Sequence, residues 1–139
     1  MNASVPDSED IDKLLAFLPL FDKPGRKFVK KWNGGEKLSD GSTTFPYPEY
    51  EEDVAAFFKL VAQPCWSDFN YQPETAADML GDERALCNGE LSEIRTMLTY
   101  FMRSERFCDG AWEASLQSGK ITSLLKRLRE LRFQNESDF

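Results

Sequence analysis

Apolar side chains fall three and four residues apart through most of this chain, and that spacing predicts a helical protein. Ile11, Leu14, Leu15 and Leu18 mark one face of a first helix over Ser8–Leu18. Asp7 or Ser8 is its expected cap, Glu9 and Asp10 suit the positive end of its dipole, and Pro19 is its expected stop. Val54, Phe57, Phe58 and Val61 repeat the pattern in a helix over Glu49–Ala62, behind Pro46 and Pro48 and with Glu51, Glu52 and Asp53 in its opening turns. Pro73 opens a short helix through Leu80 that stops at Gly81, and Asp82–Cys87 is expected to add another turn. The strongest stripe, Ile94, Met97, Leu98 and Phe101, defines a central helix over Leu91–Ser104. Asp109-Gly110 then begins a segment over Ala111–Ser118 with Trp112 and Leu116 four apart, and Gly119 ends it. A last helix turns Ile121, Leu124, Leu125, Leu128 and Leu131 inward, and its other face is basic through Lys126, Arg127, Arg129 and Arg132.

The spacing is less regular between the first two stripes. Lys23-Pro24-Gly25 signals a turn, and Arg26–Trp32 reads as a short helix with Phe28 and Trp32 on one face, stopped by Asn33-Gly34-Gly35. Asp40-Gly41, between short flanks in Lys37–Tyr47, predicts a small hairpin or a single strand. Gln63-Pro64 breaks the following helix, and the rings of Cys65–Tyr71 are expected to pack as a lid on the core. The expected fold is mainly α: one compact domain over residues 1–139, with five to seven helices, one small hairpin or irregular segment, and a frayed tail at 134–139.

Composition adds exclusions. With 41% hydrophobic and 29% charged residues in 139, the chain can bury a core and does not resemble a disordered or membrane protein. No apolar run nears the roughly 18 residues that span a bilayer, and Met1–Glu9 lacks the features of a signal peptide, so a cytoplasmic protein without membrane contact is expected. Cys65, Cys87 and Cys108 are too scattered for a disulfide framework or a zinc site. The absence of histidine removes Ser-His and Cys-His dyads and imidazole metal ligands. No glycine loop for phosphate and no metal-ligand spacing is present either, so no cofactor or metal is expected. The net charge of -7 disfavours direct nucleic-acid binding. Two basic stretches, 23–37 and 120–132, interrupt an otherwise acidic chain and would form a patch only if they meet in space.

Three constellations are candidates for function. Arg106-Phe107-Cys108-Asp109-Gly110 places a cation, a ring, a thiol and a carboxylate between two helices. Here Cys108 would be a nucleophile or Arg106 an anion anchor. The structural alternative has Phe107 and Cys108 filling the core, Asp109 capping the next helix and Arg106 paired with an acid. A second group, Tyr47, Tyr50, Trp66, Phe69, Tyr71 and Trp112, would line a partner-binding groove or else pack inside. A third is acidic: Glu49, Glu51, Glu52 and Asp53, continued by Asp68, Glu74, Asp78, Asp82 and Glu83, spaces negative charge as a nucleic-acid backbone does.

The run Met97–Leu128, with Tyr100, Arg103, Glu105-Arg106-Phe107-Cys108-Asp109-Gly110, Gly119-x-Ile121 and Leu124-Leu125-x-x-Leu128, resembles an uncharacterised family of small bacterial proteins known only as a domain of unknown function. Thr44-x-Pro46-Tyr47-x-x-Tyr50 extends the likeness. The resemblance implies a helical fold and a bacterial or mobile-element origin, and it supplies no activity. It also implies histidine just after the glycine in relatives, where this chain has Ala111. The missing chemistry ranks a non-catalytic protein-interaction module first, an acidic nucleic-acid mimic that blocks a nucleic-acid-binding protein second, and an enzyme using carboxylates or a thiol third.

Overall fold

A computed structural model of the protein describes residues 5–137, with side chains described through Gln134. Asp7 caps α1 (Ser8–Leu15): its carboxylate accepts from the Asp10 amide at 2.9 Å, and the Asp10 carboxylate accepts from the Asp7 amide at 3.0 Å. Two orphan donors are satisfied reciprocally. The helix ends at Leu15, earlier than the spacing predicts, and Leu18 belongs to a separate helical turn, α2 (Leu18–Phe21). Pro19 lies in the first turn of α2, where its missing amide would have no helical partner anyway, so it helps to open a helix and does not stop one.

Arg26–Trp32 is not helical. Val29–Asn33 forms β1, paired antiparallel with β2 (Tyr47–Tyr50) in the register Val29↔Tyr50, Lys31↔Glu49, Trp32↔Pro48 and Asn33↔Tyr47. A helix of under two turns between glycine turns is marginal by itself, whereas a strand gains a partner's hydrogen bonds. The hairpin therefore starts well before Lys37 and ends beyond Tyr47. Its tip folds by a Lys37↔Thr43 bridge and a turn in which the Gly41 amide donates to the Leu38 carbonyl at 3.0 Å. Gly34, at φ 79°, lies so close to the chain leading into β2 that a Cβ there would collide with the Phe45 carbonyl. Pro48 is tolerated in β2 because a two-stranded sheet leaves one side of each strand without a partner.

From here α3 (Glu52–Val61), α4 (Pro73–Leu80), α5 (Glu83–Asn88), α6 (Leu91–Ser104), α7 (Ala111–Gln117) and α8 (Lys120–Ser137) follow the apolar stripes, except that α3 begins at Glu52 and not at Glu49, because Glu49 and Tyr50 are paired in β2. The fold is mainly α, with seven helices longer than one turn, one single turn and a small antiparallel sheet among the described residues. Residues 134–137 continue α8, and 138 and 139 lie outside the described residues.

The core lies where α6 and α8 meet α1, α3, α5 and α7, and it buries Phe57, Phe58, Ile94, Met97, Leu98, Ile121, Leu124, Leu125 and Leu128. Leu15 and Trp112, expected in the core, are half-buried at its edge. Phe21, Phe28 and Trp66 are fully inside, and Phe21 meets Phe57 edge to face at 5.1 Å. Trp66 is thus a core residue, whereas Phe69 and Tyr71 follow it out toward the surface. The strap that carries them is tied to α6: the Asp68 amide donates to Thr99 Oγ1 at 2.9 Å, and the Thr96 hydroxyl donates to the Asp68 carboxylate at 2.6 Å.

Leu98→Ala and Leu125→Ala should each lower stability by about 2–5 kcal/mol in denaturant unfolding. Half-buried Leu15→Ala should cost less than either, and a loss below about 0.5 kcal/mol at Leu98 or Leu125 would place that side chain outside the core.

Candidate functional site

The distinctive segment of the sequence lies at the junction of α6 and α7, and Glu105 organises it. One Glu105 oxygen accepts from the Tyr50 hydroxyl at 2.7 Å and the Trp112 amide at 2.9 Å, and the other accepts from the Gly110 amide at 2.9 Å. The first amides of a helix lack partners within it, so the carboxylate caps α7 from a distance and favours its dipole. Gly110 is the N-cap residue at φ 92°, where a Cβ would sit 3.0 Å from the Trp32 ring. Glycine is needed there both for the backbone and for the indole that rests on it.

Tyr50 and Trp112, two of the expected binding rings, are engaged in this junction. Trp112 stacks on Phe58 at 4.2 Å with the planes 8° apart, lies 5.2 Å from the Tyr50 ring, and donates from Nε1 to the Met102 carbonyl at 3.1 Å. Burial, then the hydrogen bond to Glu105 and its negative charge, pushes the Tyr50 hydroxyl far above its ordinary range.

The junction overturns part of the structural reading of Arg106–Gly110. Phe107 is 86% exposed and Cys108 is also on the surface, so neither fills the core. Asp109 is exposed and does not cap α7, because Gly110 takes the cap position and Glu105 supplies the acceptor. Arg106 is exposed and forms no ion pair among the described residues.

On the outer side of the junction lies a cavity of about 480 Å³, lined by Tyr71, Pro73, Tyr100, Arg103, Ser104, Phe107, Cys108 and Ala111. The Arg103 guanidinium lies 4.8 Å from the Tyr71 ring centroid, and its buried Nε has no hydrogen-bond partner. Spacing and residue type do not single out Arg103 or Glu105 as chemistry. Both fall in the Tyr100–Gly110 run, but at a helix end where a solvated charge is the default reading.

The remaining candidates separate. Tyr47 is exposed on β2, whereas Trp66 is enclosed. Glu49, Glu51 and Glu52 lie near the start of α3, and Asp53 pairs with Arg26 at 2.6 Å, an ion pair that holds its carboxyl below the usual range. The two basic stretches do meet at one end, in a cleft lined by Lys23 and Arg26 from one and Ser123 and Lys126 from the other. Acids temper that meeting, because Lys126 pairs with Asp22 at 3.4 Å and Arg132 with Asp12 at 3.1 Å.

These features describe a small helical protein with one hairpin docked on a carboxylate-capped junction. The chain belongs to a family of unknown function, DUF6508, which it matches over residues 6–134, from ahead of α1 into α8. No curated protein and no solved structure matches it. No helix among the described residues is long and apolar enough to cross a membrane.

Glu105→Ala should destabilise the protein by about 1–3 kcal/mol, since it strands one hydroxyl and two amides, whereas Asp109→Ala should stay within about 0.5 kcal/mol. Because folding raises the Tyr50 pKa, its contribution is complete below the unfolded value near 10.0 and is lost as pH rises beyond it. Thermal unfolding against pH should therefore fall more steeply above that value in the wild type than in Tyr50→Phe. Cys65, half-buried and with its thiol pushed up by burial and by the negative charge of Asp10, should alkylate more slowly than exposed Cys87 and Cys108.

Proposed function

We propose that the protein is a non-catalytic protein-interaction module of bacterial or mobile-element origin that docks its partner on the β1–β2 hairpin. The observation that carries this reading is exposure on a single element: Phe45 is 87% exposed, Tyr47 54% and Trp32 50%, with Leu38 also open. The same chain has a core able to enclose Trp66, so these side chains are not left outside for want of one. Exposed large apolar groups gathered on one feature mark interaction surfaces, and aromatic anchors dominate contact energies there. Lys30, Lys31 and Lys37 are interspersed among them and exposed, which favours a partner with acidic groups around an apolar centre.

The acidic-mimic alternative draws less support. Asp53 is bound to Arg26, which removes one of the four carboxylates from the acidic face, and Glu49 sits across the sheet from Lys31.

With the protein as bait, alanine at the best of Trp32, Phe45 and Tyr47 should weaken the captured partner by about 2 kcal/mol or more, with a shallow dependence on salt. Undiminished capture by all three variants would remove the hairpin from the interface. A steep salt response abolished by charge reversal at Glu51, Glu52 and Asp53 would replace the module with the mimic.

A further inference from the structure

Among the arginines, Arg26, Arg127 and Arg132 each lie within 4.0 Å of a carboxylate. Arg103 does not, although it is partly enclosed: among the described residues it forms no ion pair, its Nε is buried without an acceptor, and its guanidinium lies over the Tyr71 ring. Removing a guanidinium from water is costly unless acceptors replace the water, and a ring does so only in part. The cavity that Arg103 lines is otherwise mostly apolar and aromatic, with the hydroxyls of Ser104, Tyr71 and Tyr100 as its other polar groups, and about 480 Å³ suits a small molecule. The hydroxyls of Tyr71 and Tyr100 make no hydrogen bond to protein among the described residues, which leaves two further donors at the same place.

We infer that this cavity binds a small carboxylate with a flat aromatic body. The carboxylate meets the Arg103 guanidinium, whose planar fork matches it with two parallel hydrogen bonds. The ring lies among Tyr71, Tyr100 and Phe107, and the exposure of Phe107 at the rim is the open mouth of the site. A single cation in an apolar lining, on a protein of net charge -7, selects a monoanion over a phosphate dianion. The inference stands apart from the hairpin and needs no protein partner.

The test uses 2-naphthoate, followed by its fluorescence and by amide NMR shifts of the full chain, beside 2-naphthalenemethanol as its neutral counterpart. Saturable one-to-one binding should perturb Tyr71, Tyr100 and Ala111, and the alcohol should bind about tenfold or more weaker. Arg103→Gln should lose about tenfold or more toward the acid while the alcohol is unaffected, and exposed Arg106→Gln should leave both unchanged. Equal affinity for acid and alcohol on the wild type overturns the inference without reliance on any variant. So do an unchanged Arg103→Gln, an equal loss in Arg106→Gln, displacement by inorganic phosphate more readily than by benzoate, and the absence of saturable binding at millimolar naphthoate. Should Arg103→Gln fail to fold, as thermal unfolding would reveal, the acid-against-alcohol comparison decides alone.

Discussion

Glu105 ends the central helix with a carboxylate that accepts from the Tyr50 hydroxyl and from the amides of Gly110 and Trp112. A charged acceptor with three donors is strong where it is half-enclosed, because each donor left alone would lose its water without replacement. The hairpin reaches the helical body through Tyr50, α7 takes its starting angle from the capped amides, and Trp112 is thereby set flat on Phe58. The aromatic hairpin and the arginine-lined cavity both follow from that placement. Trp32 leans on Gly110 at one side of the junction, and Arg103 opens toward Tyr71 at the other.

Helices with long apolar stripes are legible from spacing alone. Ile94, Met97, Leu98 and Phe101 place α6 at its observed bounds, and Pro73 and Gly81 do the same for α4. The hairpin is only half legible. Phe28 and Trp32 are four apart, which imitates a helical face, yet a helix this short is marginal without packing to hold it, and the partner that makes them a strand lies beyond a long tip. Trp66 is hidden for a related reason: its neighbours Ser67 and Asp68 look polar and irregular, but hydrogen bonds to Thr99 and Thr96 fasten that strap to α6.

The site itself is legible as a place and not as a mechanism. Arg106–Gly110 stands out in the sequence, but the residues with the chemistry are its neighbours Glu105 and Arg103, one turned inward and one outward. Spacing along a helix end does not say which charge will be capped over and which left facing a cavity. That depends on Tyr50 and Tyr71, each more than thirty residues away in sequence. Long-range partners of this kind are the part of a site that local pattern cannot supply.

The three tryptophans occupy three distinct environments: Trp66 sealed in the core, Trp112 stacked on a phenylalanine, and Trp32 half in water against a bare glycine backbone. Their indole emission consequently has a built-in division of labour. Trp66 senses the dry interior, Trp112 senses the junction, and Trp32 is the red-shifted, quencher-accessible one. Light from the last of these changes when something settles on the hairpin, even if nothing else in the protein moves.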